Sequence, residues 1–173
     1  DDIDESYPDT LRGSEVAAFI SRVKADAYKA TMAEDEIIIT ADTIVCLDEK
    51  LLGKPADEAE AIAMLRSLSG RTHQVYTGVS LIIKEDTGVT IVTSNDDTTF
   101  VSRSDVTFAK LTDNEILHYV NRYRPMDKAG AYGIQEWIGY VGVERIEGSY
   151  FNVMGLPVQR LYSELKKIVD LVV

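Results

Sequence analysis

From Thr10 to Thr31 the apolar positions recur at helical spacing, with Val16, Phe19, Ile20, Val23 and Ala27 on one face and Ser14 as the expected N-cap. The period then changes. Glu36 to Leu47 contains IIITADTIVCL, nearly continuous in β-branched residues, which predicts a buried strand. A second helix is expected over Asp57 to Leu68, opened by a capping-box-like pair, Asp57 with Glu60, and stopped at Gly70. His73 to Lys84 reads as a strand, Glu85–Gly88 as a turn, and Val89 to Val101 as an antiparallel return. Thr107 to Lys110 suggests a further short strand, and Thr112 with Glu115 forms a capping box opening a helix to about Tyr123. Ile138 to Ile146 reads as a strand, and Pro157 in a first turn opens a last helix through Leu171. The order predicts an α/β or α+β fold, a mixed twisted sheet flanked by helices. There is no internal repeat and no linker, so 173 residues fit one domain, or one domain with a small appendage.

One position breaks the pattern. Asp42 stands inside the apolar strand, where a charge is expensive unless it is paired or binds a metal. Either the strand has ended and Asp42 caps a turn, or its carboxylate faces a cleft at a strand end, where open α/β sheets bind ligands. Lys54 follows in LLGKPADE, between a permissive glycine and a proline that fixes the turn. It is either a solvated surface lysine or a cation held for an anionic ligand.

Charge narrows the partners. The net charge is −11, which argues against a nucleic-acid duplex or an anionic membrane, because broad phosphate binding needs clustered Lys and Arg. A small anion held by a few local lysines remains compatible. The single cysteine, Cys46, sits in the apolar strand and reads as a small buried hydrophobe. With no internal disulfide possible and no run of 18 apolar residues, a cytoplasmic protein is expected.

Other stretches carry candidate chemistry. In LSGRTH, Arg71 either caps the helix C-terminus or meets a phosphate, and His73 opens a strand, in a position more often structural than catalytic. In PMDKAGAYGIQ, Asp127 and Lys128 precede small residues that let a flat ligand approach. Gln135 offers a donor and an acceptor to a base edge, or is an exposed amide on a plain turn. GSYFNVMGLP (Gly148–Pro157) is either a substrate or interface loop or the entry to the last helix. DDIDES carries four acids; it is a solvated terminus, or Asp4 or Glu5 joins Asp42 around a divalent metal. There is no G-x-x-x-x-G-K, no G-x-G-x-x-G, no zinc-spaced Cys/His set and no nucleophile elbow. Carboxylates, lysines, an arginine and a glutamine remain, a set suited to metal-assisted chemistry on a phosphate ester.

ADTIVCLDEKLLGKP, LSGRTHQVYTGV, MDKAGAYGIQ and GSYFNVMGLPV follow one another in the order and spacing of the Maf family, which the chain resembles over nearly its whole length. That family consists of nucleoside triphosphate pyrophosphatases with a fold like that of the inosine triphosphate pyrophosphatases. The resemblance implies Asp42 as proton acceptor and Lys54 as a catalytic residue on the phosphate side. It places the glutamate expected at the metal at Glu5, with Asp4 as the neighbouring alternative, so that Asp42, Glu5 and Asp4 are the metal candidates. Lys24, in VKADA, becomes a phosphate contact, with Arg71 and Lys128 as further substrate-binding candidates. Thr43 and Gln135 match the positions that separate subfamilies by base, and their identity resembles the branch acting on dTTP and UTP rather than on 7-methyl-GTP. The family also begins with a strand and an S-x-S-P-R-R loop that this sequence does not contain. The expectation is therefore one Maf-like domain, residues 1–173, lacking its first strand and helix, either because the sequence is part of a longer protein, the favoured reading, or because the protein lacks that phosphate loop.

The implied reaction yields a monophosphate and pyrophosphate, with Mg²⁺ or Mn²⁺ bridging carboxylates and phosphate oxygens. The implied partners are the nucleotide and a second copy in a homodimer. The rivals are a purine, inosine-type triphosphate pyrophosphatase and a non-catalytic nucleotide-binding or division-regulating protein.

Overall fold

The computed structural model describes residues 3–33, 36–85, 88–90 and 99–167. The first helix, α1 (Ser14–Tyr28), continues as a 3₁₀ turn over Lys29–Thr31. It starts later than the apolar spacing alone predicts. Its N-cap is Gly13, at φ 45, in place of the expected Ser14. The long strand β1 (Ile37–Leu47) forms as expected and is followed at once by a short strand, β2 (Lys50–Leu52), which the apolar pattern does not mark. Helix α2 (Glu58–Leu68) is capped by Asp57, whose carboxylate accepts from the Glu60 N–H at 2.8 Å, while Glu60 reaches back to the Ala56 N–H at 2.7 Å.

Strand β3 (Thr72–Glu85) pairs with β4 (Gly88–Thr90) and with β5 (Thr99–Phe108). The separate strand predicted from Thr107 is the end of β5, because pairing with β3 continues unbroken from Thr99 to Thr107. Positions 91–98 of the predicted return strand, and the end of the last helix at Leu171, lie outside the described residues. Helix α3 (Asp113–Tyr123) opens on the full Thr112/Glu115 capping box.

The strand expected over Ile138 to Ile146 is corrected. Trp137–Gly142 is a short helix, α4, and only Val143–Glu147 is a strand, β6. A short apolar run fits either period, and here tertiary contacts decide. Ile138 and Gly142, one helical turn apart, both face the core, and a Cβ on Gly142 would lie 3.1 Å from Leu111 Cδ2. The helices α5 (Tyr150–Met154) and α6 (Val158–Leu165) complete the described chain.

The strands form one six-stranded sheet, in the order β2-β1-β3-β5-β6 with β4 on β3, and every described pairing is antiparallel. Helix α1 covers one face. It lies so close to β3 that a Cβ on Gly78 would sit 2.2 Å from the Ala17 carbonyl oxygen. The opposite face carries the main core, where α2, α3 and α4 pack on Val45, Val75, Val106 and Phe108. Strand β2 covers β1 only from Val45 to Leu47. Beyond it, over residues 37–44, that edge of β1 has no strand beside it among the described residues.

Candidate active site

The two-residue period of a strand sends successive side chains to opposite faces. Even positions of β1 turn to α1. Ile44 and Cys46 pack with Val16, Ala17 and Ile20, and the Thr40 hydroxyl donates to the Ser21 carbonyl at 2.6 Å. Asp42 Oδ1 accepts from Lys24 Nζ at 2.7 Å. Odd positions turn away from α1: Val45 and Leu47 enter the main core, and Thr43 Oγ1 lies 2.8 Å from Thr77 Oγ1. Asp42 and Thr43 therefore point in opposite directions. Both nevertheless border one cleft, because it wraps the uncovered edge of β1. A chamber of about 270 Å³ is lined by Thr43, Lys128, Tyr132, Gln135 and Met154. A second, of about 330 Å³, is lined by Glu5, Tyr7 and Leu51. Asp42, Thr43, Lys54 and Ala129 line both.

The three lysines differ in how they are paired. Lys24 is shared by two carboxylates, Asp42 at 2.7 Å and Glu5 at 3.0 Å. Lys128 is held by Asp127 at 3.0 Å and Glu136 at 3.4 Å. Lys54 forms no ion pair among the described residues, although it stands where the chambers meet. An ammonium group that lines a cleft and makes no close ion pair there suits an anionic ligand.

Asp42 is only 14% exposed at its side chain. Burial raises its carboxyl above the ordinary 3.8, and the opposing pull of Lys24 and Lys54 does not cancel the effect. Burial acts on Lys24 in the lowering direction, but its bonds to Asp42 and Glu5 outweigh this and hold it above 10.5. One oxygen of Asp42, Oδ1, is occupied by Lys24. The other is available to accept from a water.

The carboxylates Glu5 and Asp42 converge on one cationic group. Among the described residues no set of three or more His, Cys, Asp or Glu side chains is placed to hold a metal. Two converging carboxylates beside phosphate oxygens are nevertheless the usual donor set for Mg²⁺, which keeps several waters and takes one or two protein ligands. Asp4 is not part of this group; its Oδ1 accepts from the Ser6 N–H at 2.9 Å, and it lines neither chamber.

Arg71 is not brought to the cleft. It pairs with Asp48 at 2.5 Å and lines neither chamber. Gly78 is the β3 partner of Asp42, and Arg71 precedes β3, so the two are roughly 20 Å apart along the strand at ~3.3 Å per residue. His73 is fully buried and structural; its Nε2 lies 2.7 Å from the Tyr132 hydroxyl.

Several supporting residues carry no sequence motif. Tyr119, fully buried on α3, accepts from the Gly133 N–H at 3.0 Å and donates to Glu136, which faces Lys128. The loop carrying Lys128 and Gln135 is thereby fastened to α3. Thr77 and Asn152, both fully buried, back Thr43 from the opposite side. The turn-rich stretch around Asn152 marks a loop of interest but not this residue within it.

Comparison with known proteins places the chain in a family. The family described as Maf-like protein matches residues 1–168. The chain is 55% identical over 167 residues to a dTTP/UTP pyrophosphatase of Bacteroides thetaiotaomicron, covering 96% of this chain and 81% of that one. It is 52% identical over 167 residues to a dTTP/UTP pyrophosphatase of Porphyromonas gingivalis, covering 95% and 79%. It is 44% identical over 168 residues to a dTTP/UTP pyrophosphatase of Flavobacterium johnsoniae, covering 97% and 81%. With the family match running from the first residue to residue 168, and with relatives this similar over most of their own length, the chain belongs to the Maf-like protein family.

Proposed function

We propose that this protein hydrolyses dTTP and UTP to the monophosphate and pyrophosphate. The observation that carries the reading is the wrapped cleft: Asp42 and Thr43, adjacent in sequence and on opposite faces of β1, border one space with the unpaired Lys54 between its chambers. A nucleotide lying over the strand edge would put its base against Thr43 and Gln135 and its phosphates beside Lys54 and Asp42. The names of the similar proteins support the same substrate class.

In this reading the free oxygen of Asp42 accepts a proton from water as that water opens the anhydride between the α- and β-phosphates. The desolvated carboxylate is a stronger base than one in bulk water, and such general-base help is typically worth about 10²- to 10⁴-fold. Lys54 stabilises charge building on the phosphates, and Lys128, which lines the same chamber while paired with Asp127 and Glu136, adds a second cation there. Lys24 keeps the Asp42 carboxylate ionised and aimed. Glu5 and Asp42 would hold a divalent cation, Mg²⁺ or Mn²⁺, which neutralises phosphate charge when bound. A cytoplasmic location and a homodimer complete the proposal; among the described residues no helix is long and apolar enough to cross a membrane.

The test is pyrophosphate release from a panel of dTTP, UTP, 7-methyl-GTP and ITP, with and without chelator. Release from dTTP and UTP, lost on chelation and restored by Mg²⁺, is expected. Release confined to ITP or to 7-methyl-GTP, or nucleotide binding with no release, overturns the reading.

A further inference from the structure

The Thr77 hydroxyl on β3 is fully buried and has two partners. Its Oγ1 lies 2.9 Å from the backbone carbonyl oxygen of Asn152 and 2.8 Å from Thr43 Oγ1. A hydroxyl carries one proton and a carbonyl carries none. The bond to Asn152 therefore uses the Thr77 proton, and Thr43 must donate its own proton to Thr77. The Thr43 oxygen then presents only lone pairs to the cleft. The carbonyl that sets this direction is itself fixed. Asn152 donates from its backbone N–H to Ser149 Oγ at 3.2 Å, and from Nδ2 to Ser104 Oγ at 2.9 Å and to the Val75 carbonyl at 3.3 Å.

Gln135, in the same chamber, is free in the opposite sense. Among the described residues its side-chain amide has no hydrogen-bond partner. Half a turn about its last bond exchanges oxygen and NH₂, so the amide can match a uracil edge or a cytosine edge equally well. Gln135 alone does not separate the two bases. An oxygen that can only accept does: uracil and thymine carry a ring N–H at the position where cytosine carries a bare nitrogen.

We propose, resting on the pyrimidine triphosphate reading above, that the Thr43–Thr77–Asn152 relay makes Thr43 an obligate acceptor and so selects a ring N–H base over cytosine. Thr77 is a positioning residue in this scheme; it touches no substrate and acts by fixing the direction of the Thr43 hydroxyl. Without it the hydroxyl can turn and donate to the bare ring nitrogen of cytosine.

Binding of UMP and CMP is measured by titration calorimetry on the parent chain, Thr77→Val and Thr77→Ser. The parent is expected to prefer UMP. Thr77→Val is expected to lower the UMP-to-CMP affinity ratio by about tenfold or more, chiefly through a gain for CMP, because a site with an unmatched buried partner discriminates strongly and one that can rotate does not. Thr77→Ser restores the hydroxyl and keeps the parent ratio, which loss of packing alone would not explain. Should the valine variant not fold, Thr77→Cys, which matches the serine variant in shape but is a weak donor and acceptor, is expected to shift the ratio in the same direction. An unchanged ratio in the substituted chain, a serine variant that behaves like valine, or a parent with no preference for UMP overturns the relay. Pyrophosphate release from UTP is followed in parallel. A shifted ratio without release overturns the hydrolase reading and leaves the relay standing, whereas release with an unshifted ratio overturns the relay alone.

Discussion

The backbone N–H of Gly130 donates to the carbonyl of Gly53 at 3.1 Å, so the loop that carries Lys54 is tied to the loop that carries Lys128 and Gln135. Gly130 sits at φ 68, and a Cβ there would lie 3.0 Å from Val45 Cγ1. Gly130→Ala should destabilise the protein by about 1–3 kcal/mol, the usual range for a side chain held in left-handed backbone. Because a 1 Å misplacement of binding groups can lower rate by ~100-fold, turnover should fall by more than the stability loss explains. Thermal unfolding and steady-state kinetics on UTP check this; an unchanged KM and kcat in a folded variant would separate the two loops functionally.

Asp42 must be ionised to accept a proton, and burial raises its carboxyl above the ordinary 3.8. The acid limb of kcat/KM is therefore expected above the usual aspartate range, with activity rising as the pH passes it. Lys24 pulls the Asp42 carboxyl down through its bond to Oδ1. Lys24→Met should move that limb to higher pH, as read from pH–rate profiles of the two chains. A limb that stays in place would take Lys24 out of contact with the titrating group.

His73 is fully buried, its Nδ1 has no hydrogen-bond partner among the described residues, and burial pushes its pKa down from 6.5 to about 4. The folded state thus favours the neutral ring. Its contribution to stability is fully present above 6.5, declines as the pH falls, and is lost once the pH passes about 4. The loss amounts to about 3 kcal/mol, since each tenfold change in proton affinity is worth roughly 1.4 kcal/mol. His73→Gln, which keeps a polar partner for the Tyr132 hydroxyl and does not titrate, should flatten the difference in unfolding free energy over that window. Parallel curves for the two chains would assign the acid sensitivity to other groups.

Much of the architecture was legible because local chemistry and burial agree in it. The Thr112/Glu115 and Asp57/Glu60 pairs marked helix starts that form as expected, and the continuous run around Asp42 marked β1. The errors fall where a short apolar stretch had no local arbiter. Ile138 to Gly142 fits either period, and contacts with Leu111 choose the helix. At α1 the spacing extended the helix too far forward, because apolar periodicity does not register the left-handed backbone at Gly13.

The site divides along the same line. Asp42, Lys54, Thr43, Gln135 and Lys128 were nameable from motifs, and the cleft brings them together. Glu5 joins through Lys24, whereas Asp4 and Arg71 do not reach the cleft. Neighbouring acids in DDIDES are indistinguishable until the backbone fixes which one turns inward. The supporting residues Thr77, Asn152 and Tyr119 act through pairings across the sheet and between α3 and a loop, which no linear spacing encodes.

The most direct measurement is pyrophosphate release from UTP by Asp42→Asn beside the parent chain, with thermal unfolding of both. The amide keeps the shape and cannot accept the proton, so turnover should fall by about 10²- to 10⁴-fold while the melting temperature holds or rises, since a desolvated charge is removed. A folded Asn variant that releases pyrophosphate at the parent rate would contradict the assignment of Asp42 as the proton acceptor.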